Sequence, residues 1–247
     1  MLRLLADVLG PLLRRAGVVG RLSRLTYNQD DVPWIAVFIC RTGYCVTHSG
    51  IVYRSDDLGG TAYLHLGGHL HLSQEPESRH ILAVPDMYQE DQEYLAGVCR
   101  MIYPRLGRRA LPYSFEYDPD LLFDPTTGAL ASPVNERGFS CATFVAAVFR
   151  STGNPLVNLP TWPTEATADD RAARAEVLRW WRASGRFHLL ARANEIEPSI
   201  GARRVSPEQV IGACLMGRHR RPVSHRRCDA SGRQVRAILD GRFPFPP

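Results

Sequence analysis

Gly138-Phe139-Ser140-Cys141-Ala142-Thr143-Phe144-Val145 places a cysteine at the point where a loop turns into a helix. Ser140 is a residue type that caps helix N-termini, and apolar residues recur at helical spacing after it, up to Phe149. Gly153-Asn154-Pro155 then supplies a stop signal. The sequence therefore predicts a helix that begins at Cys141.

A thiol at a helix start has a particular chemical environment. The first turn lies at the positive end of the helix dipole, which favours the thiolate and predicts a lowered pKa for Cys141. The thiolate is the nucleophile in cysteine hydrolases. The alternative is that Cys141 is buried and packs as a small hydrophobic residue.

Two predicted strands upstream each carry a histidine, which favours the catalytic interpretation. Residues 46–53 and 61–66 are rich in β-branched and aromatic residues, and a turn-forming segment separates them. Such strands pair as a hairpin, which brings His48 and His65 to neighbouring strands. A thiol nucleophile needs a base, and the base needs a polar group that holds its tautomer. Cys141, His48 and His65 can fill these three roles.

The order of the motifs resembles a known group of enzymes. His48-Ser-Gly-Ile-Val-Tyr, then Tyr-Leu-His65-Leu, then Ser-Cys141-Ala-Thr-Phe-Val is similar to the circularly permuted branch of the NlpC-type, papain-like thiol hydrolases. That branch includes the lecithin:retinol acyltransferase-like proteins and the PPPDE isopeptidases, and its histidine motif precedes its cysteine motif. The resemblance covers roughly residues 44–153.

The resemblance implies that Cys141 is the nucleophile, His48 the general base and His65 the orienting residue. Leu-Pro-Tyr113 is similar to the Pro-Tyr segment ahead of the nucleophile in NlpC peptidases, which implies an auxiliary role for Tyr113 near the oxyanion. The implied fold is α+β, permuted papain-like, with an antiparallel sheet packed on the cysteine-bearing helix. Ser140 stands where many relatives have Asp or Asn, and the loop 114–138 is long, so the substrate class does not transfer.

Composition and turn signals divide the chain into three segments. Residues 1–28 form an amphipathic helical segment, 29–160 a catalytic domain with five predicted strands and a helix over 89–103, and 161–247 an Arg-rich helical extension. Within the extension the spacing predicts helices over 169–184 and 207–216, the second capped by Ser206.

The chain is basic, and its charge comes from one residue type. The 247 residues have a net charge of +5, and all 30 basic residues are Arg. A GC-rich genome explains the missing lysine, and selection against a modifiable amine is the alternative. Residues 203–236 hold nine Arg, which form either a solvated face or a surface for an acidic partner. No nucleic-acid motif accompanies them, and we predict no cofactor.

The N-terminal segment does not resemble a secretion signal. Arginines interrupt its leucines, and no run approaches the length of a membrane span. We therefore expect a cytoplasmic protein, or one exported by a route that needs no cleavable signal. A basic amphipathic helix can bind an anionic membrane surface, but docking on its own protein is the expectation here.

The remaining cysteines and histidines offer two alternatives to this interpretation. Cys40 and Cys45 flank a turn and could face each other, but the cysteine spacing predicts free thiols in a reducing compartment. His69 and His71 lie close to His65 in sequence, which suggests a metal site or a different third member of the triad. No carboxylate motif lies nearby, so we predict no metal.

Three classes of function remain open. The first is a thiol hydrolase that cleaves an amide, peptide or isopeptide bond in a peptide, in peptidoglycan or in a protein conjugate. The second uses the same Cys-His-His site as a lipid acyl hydrolase or acyltransferase. The third is an inactive basic adaptor protein. The chain shows no apolar lipid-anchoring tail, so amide chemistry is the prediction.

Overall fold

The computed structural model describes residues 25–26, 32–42, 46–74, 80–107, 111–131, 138–185, 187–202 and 204–241. These residues form an α+β fold in which helices pack on an antiparallel sheet. Residues 1–24 of the predicted N-terminal helical segment 1–28 lie outside the described residues, and residues 25–26 form a short strand instead of a helix. Cys45, which the sequence placed across a turn from Cys40, is also outside the described residues.

The main sheet has the strand order β1-β6-β2-β3-β4-β5, and every neighbouring pair is antiparallel. The hairpin predicted from the two histidine-bearing strands is confirmed as β3 and β4. A second, two-stranded sheet pairs β7 with β8 in parallel. The strands are β1 (Leu25–Thr26), β2 (Ile35–Arg41), β3 (Thr47–Ser55), β4 (Gly60–Leu66), β5 (Leu70–Ser73), β6 (His80–Ala83), β7 (Val157–Asn158) and β8 (Val223–Ser224).

Within the described residues there are six α-helices. They are α1 (Gln89–Leu106), α2 (Cys141–Ser151), α3 (Ala168–Ala183), α4 (Phe187–Ile196), α5 (Pro207–Cys214) and α6 (His225–Leu239). The predicted starts of α2 and α5 are confirmed, as are their serine caps. Helix α1 continues through Pro104, where we expected it to end, because a proline in the last turn removes only one helical hydrogen bond. Helices α4 and α6 were not predicted.

The two faces of the main sheet differ in what they carry, because successive side chains of a strand alternate. The helix-covered face bears apolar residues such as Ile39, Ile51 and Leu64, which join the helices in the main hydrophobic core. The histidine face is the other side. It carries Phe38, Cys40, His48, Tyr63, His65, His71 and His80, which the register places opposite or diagonal to one another.

One hydrophobic core runs across the predicted boundary at residue 160. Phe144 of α2, Trp181 of α3 and Val210 of α5 are all buried in it. Helix α5 packs on β2 and β3 and against α6, and the β7–β8 ladder joins the segment after α2 to the start of α6. The Arg-rich extension is therefore built into the same core as the sheet.

None of the described helices combines the length and the apolar character needed to cross a bilayer. The cysteines within the described part of the chain form no disulfide.

Candidate active site

Cys141 is the first residue of a helix that is buried along almost its whole length. The hydroxyl of Ser140 accepts a hydrogen bond from the Thr143 N–H at 3.2 Å, and the Thr143 hydroxyl accepts one from the Ser140 N–H at 2.7 Å. This capping box satisfies N-terminal donors without a carboxylate. The N–H of Cys141 and the dipole of α2 therefore stay directed at the site.

The predicted low pKa of Cys141 is wrong. Burial raises the pKa of the thiol above its ordinary value, because a desolvated thiolate is disfavoured. Opposing effects come from the N–H and hydroxyl of Ser49, the charge of Arg204 and the N–H of Ala142, which favour the thiolate. They reduce the rise without reversing it. The thiol is thus protonated at neutral pH and must lose its proton before it can attack.

Ser49 is the residue of β3 that faces the sulfur. It is fully buried, and its hydroxyl has no conventional hydrogen-bond partner among the described residues. The side chain of Ser49 points to the helix-covered side of β3. Both its backbone N–H and its hydroxyl can therefore donate to a thiolate on Cys141.

Tyr113 lies beside Cys141. A bridge between Tyr113 and Phe139 holds the two segments together, and Gly138 allows it, since a Cβ there would come within 2.3 Å of the Pro112 carbonyl oxygen. The N–H of Cys141 donates toward the tyrosine oxygen. Burial strongly raises the pKa of Tyr113, with a further rise from Cys141, so its hydroxyl remains a donor.

His48 and His65 form a hydrogen-bonded pair on the histidine face. His48 Nε2 lies 2.9 Å from His65 Nδ1, with ring centroids 4.9 Å apart. Burial, followed by the charges of His48, His71 and His69, lowers the pKa of His65 from 6.5 to about 2. A neutral His65 can hold one tautomer of its partner, which is the role expected of an orienting residue.

Gly50 leaves space for the side chains that pack around the histidine pair. A Cβ at this position would lie 2.4 Å from Phe38 Cε1 and 2.5 Å from His65 Cβ. Phe38 packs edge-on against both His48 and His65, with centroids 5.9 and 5.7 Å apart. The glycine therefore makes room for the ring that supports the histidine pair.

The side chains of the histidine pair and the thiol of Cys141 lie on different sides of the sheet. His48 and Ser49 are consecutive residues of β3, so their side chains point to opposite faces. Ser49 faces Cys141, and His48 belongs to the histidine face. The structure thus pairs His48 with His65 and Cys141 with Tyr113, and the two pairs meet around the end of the sheet rather than across one face.

A cavity of about 600 Å³ connects the two pairs. Cys141, Tyr113, His48 and His65 all line it. Its other wall comes from the C-terminal part of the chain and is largely apolar: Val177, Trp180, Trp181, Leu189 and Val205. All four residues predicted from the sequence therefore border the same space.

The remaining histidines of this face pack with the pair. The rings of His65 and His71 are stacked with centroids 4.8 Å apart, and those of His69 and His71 are 3.9 Å apart. His80 Nε2 lies 3.1 Å from the Tyr63 hydroxyl. Among the described residues, no group of three His, Cys, Asp or Glu side chains is arranged to hold a metal ion.

Three residues that act on the thiol or line its cavity were not predicted from the sequence: Ser49, Arg174 and Arg204. Strand alternation contained the signal for Ser49, because it places the neighbour of His48 toward the helices. The two arginines lie far from the motifs in sequence, and no local pattern distinguishes them from the other arginines of the extension.

Comparison of the chain with protein-family models, with curated proteins and with solved structures found no match.

Proposed function

We propose that the protein is a cysteine hydrolase with a permuted papain-like fold, which cleaves an amide, peptide or isopeptide bond through a thioacyl-enzyme intermediate. The observation that carries the proposal is the shared cavity. A cysteine at a helix start and a hydrogen-bonded histidine pair border it from two sides. The sheet packed on the cysteine helix, with the histidine strands ahead of that helix in the chain, agrees with the resemblance.

The raised pKa of Cys141 gives His48 a necessary role. A thiol that is protonated at neutral pH needs a base at the moment of attack. His48 Nε2 is engaged with His65, so His48 Nδ1 is the atom proposed to take the proton. Because His48 and Cys141 lie on different sides of the sheet and share one cavity, the proton passes through a water molecule in that cavity.

The proposed reaction has two halves. The sulfur of Cys141 bonds to the substrate carbonyl carbon as His48 takes its proton. The Tyr113 hydroxyl holds the developing oxyanion, together with the Cys141 N–H, which leaves the tyrosine oxygen for it. The C–N bond then breaks, and the leaving amine takes the proton from His48. Water attacks the thioester, His48 accepts its proton and returns it to the sulfur, and the acid product departs.

The peptide-like substrate can belong to a free peptide, a peptidoglycan stem or a protein conjugate. The Arg-rich helices give a separate reason to expect an acidic partner, since exposed arginines such as Arg226 and Arg227 lie on α6. A protein conjugate would supply both features in one molecule.

A lipid acyl substrate is the second candidate. The apolar wall of the cavity, with Val177, Trp181 and Leu189, favours it because an acyl chain buries well against such residues. The same thioacyl intermediate would form, with an alcohol as the leaving group.

Mass spectrometry of the trapped enzyme tests the proposal. The protein is incubated with stem peptides, ubiquitin-like conjugates and phospholipids, quenched in acid and digested. An adduct on Cys141 with the mass of the acyl half supports the mechanism, and its mass separates the two candidates. Cys40→Ala is the matched control, since Cys40 lines the same cavity and should leave the adduct in place. Full turnover by Cys141→Ser, lost on addition of a chelator, would instead support the histidine metal alternative.

A further inference from the structure

The cavity has an unbalanced charge. Its described lining includes three arginines, Arg41, Arg174 and Arg204, and neither an aspartate nor a glutamate. Arg41 forms an ion pair with Asp240 outside the lining. The charge that matters therefore comes from the other two arginines, which lie on the same side of the cavity as Cys141 and Tyr113.

Arg174 is a buried cation held by neutral groups. Its side chain is 1% exposed and its guanidinium donates to the carbonyl oxygens of Ser199, Ile200 and Phe115. Its Nε has no hydrogen-bond partner among the described residues. Buried charges in proteins are normally paired, and the acidic group that acts on Arg174, Asp170, also pairs with Arg204, so this wall of the cavity can accept a further anion.

Arg204 shares its carboxylate with Arg174. Arg204 Nη1 lies 3.3 Å from Asp170 Oδ1, and the same aspartate is the acidic group that acts on Arg174. Arg204 also acts on the buried Glu208, which is paired with Arg236, so three arginines and two carboxylates leave one positive charge in excess beside the thiol. Arg204 is also close enough for its charge to act on both Cys141 and Tyr113.

We propose that this arginine pair binds a carboxylate that the substrate carries beside its scissile carbonyl. The inference rests on the proposed function and names its substrate class: an amide whose acyl part bears a single negative charge and an apolar group. One uncompensated charge matches a carboxylate better than a dianionic phosphate, and a guanidinium fork fits the planar carboxylate. The apolar wall opposite then takes the rest of the acyl part.

Two alkylating reagents test the proposal without a known substrate. The Cys141 thiolate attacks the same carbon of iodoacetate and of iodoacetamide. Iodoacetate carries a carboxylate where iodoacetamide carries a neutral carboxamide. We expect the ratio of their rate constants at Cys141 to exceed that of free cysteine by about tenfold, the factor that one charged hydrogen bond is worth. Because both reagents consume the same thiolate, the ratio cancels any effect of Arg204 on the pKa of Cys141.

Arg204→Gln is the decisive variant, because Arg174 ties three backbone carbonyls and its loss threatens the fold. The ratio should fall to that of free cysteine in Arg204→Gln. It should stay high in Arg179→Gln, the matched control, since Arg179 is an exposed arginine on α3. Suppose that iodoacetamide labels Cys141 fast and that the ratio of the two rate constants equals that of free cysteine. This result would overturn the carboxylate site and leave the hydrolase proposal standing.

Failure of the hydrolase proposal has a different signature. If no acyl adduct forms on Cys141 with any substrate of the panel, the proposed function is overturned. Thermal denaturation then still decides whether an anion site exists, with acetate compared with acetamide on the order of 50 mM at constant ionic strength. Stabilisation by acetate in the wild type, absent in Arg204→Gln, supports the site. Equal melting temperatures in both solutes count against it.

Discussion

The two faces of the sheet carry opposite kinds of chemistry. On the helix-covered face, aliphatic residues pack against α2 and leave one polar group, Ser49, against the thiol of Cys141. On the histidine face, polar rings contact one another, and only a small apolar cluster that includes Phe38, Val52 and Leu82 supports them. Two adjacent residues of β3 therefore serve different faces: Ser49 acts on the Cys141 thiol, and His48 belongs to the histidine pair.

The largest expected effect comes from the helix-covered side. Cys141→Ala should abolish turnover of any substrate identified by the adduct screen, while the circular dichroism spectrum and substrate binding are retained, because only the nucleophile is lost. Cys40→Ala, its control on the histidine face, should stay active. If Cys40→Ala is the inactive variant, the two faces have been assigned the wrong roles.

His48→Ala should be nearly as damaging, although the change lies on the other face. The nucleophile and the base act as a unit, so the kcat of His48→Ala should fall to within about tenfold of the residual kcat of Cys141→Ala. His80→Ala is the matched control, because His80 shares the face but bonds to Tyr63. Equal, small losses in both variants would show that the histidine face only packs and that the thiol has another base.

Tyr113→Phe removes a proposed oxyanion donor and should lower kcat by on the order of 10²-fold with little change in KM. The comparison variant is Tyr63→Phe, which deletes a buried hydroxyl from the histidine face. Its kcat should change much less. A rise in KM alone for Tyr113→Phe would assign the tyrosine to binding instead.

The histidine face should also make stability depend on pH. Unfolded His65 binds a proton below about pH 6.5, whereas folded His65 stays neutral because its pKa is lowered to about 2. The free energy of unfolding should therefore fall with pH below about 6.5, by up to about 1.4 kcal/mol per pH unit from this group. Urea denaturation at two pH values measures the slope.

His65→Asn should reduce that slope. An unchanged slope in His65→Asn would mean that His65 is protonated in the folded protein or that other groups dominate.

The smallest expected effect concerns Ser49. Ser49→Ala removes one of the groups that favour the thiolate, so the pKa of Cys141 should rise further. The pH profile of iodoacetamide labelling should move to higher pH. Ser73→Ala, which lines the cavity from β5, should leave the profile in place.

The sequence was enough to predict the parts of the fold that local signals specify. The β3–β4 hairpin and the start of α2 at Cys141 followed from β-branched runs, turn residues and a serine cap. Helix α6 was not predicted, although Ser224 stands at its N-cap, because the buried stripe that packs on α5 includes Ser231 and Gly232 and is therefore only weakly apolar.

The site was predictable in membership but not in its electrostatics. The motifs identified Cys141, His48, His65 and Tyr113, which all border the cavity. The predicted direction of the Cys141 pKa shift was wrong. The start of a helix indicates the effect of the dipole, but burial depends on residues far away in sequence, such as those of α3 and α5 that enclose this side of the sheet. Arg204 reaches the thiol only through tertiary packing.

The shared core across residue 160 has a consequence for how such a protein can diversify. The proposed chemistry resides in residues 48–141, while the wall that would select a substrate is contributed by residues 173–205. Substitutions of the apolar residues in that later stretch can reshape the recognition wall without changing the thiol or the imidazoles. Variants that share one reaction can therefore differ in specificity, whereas a mosaic that joins one protein's first half to another's second half would have to repack the core that the halves share.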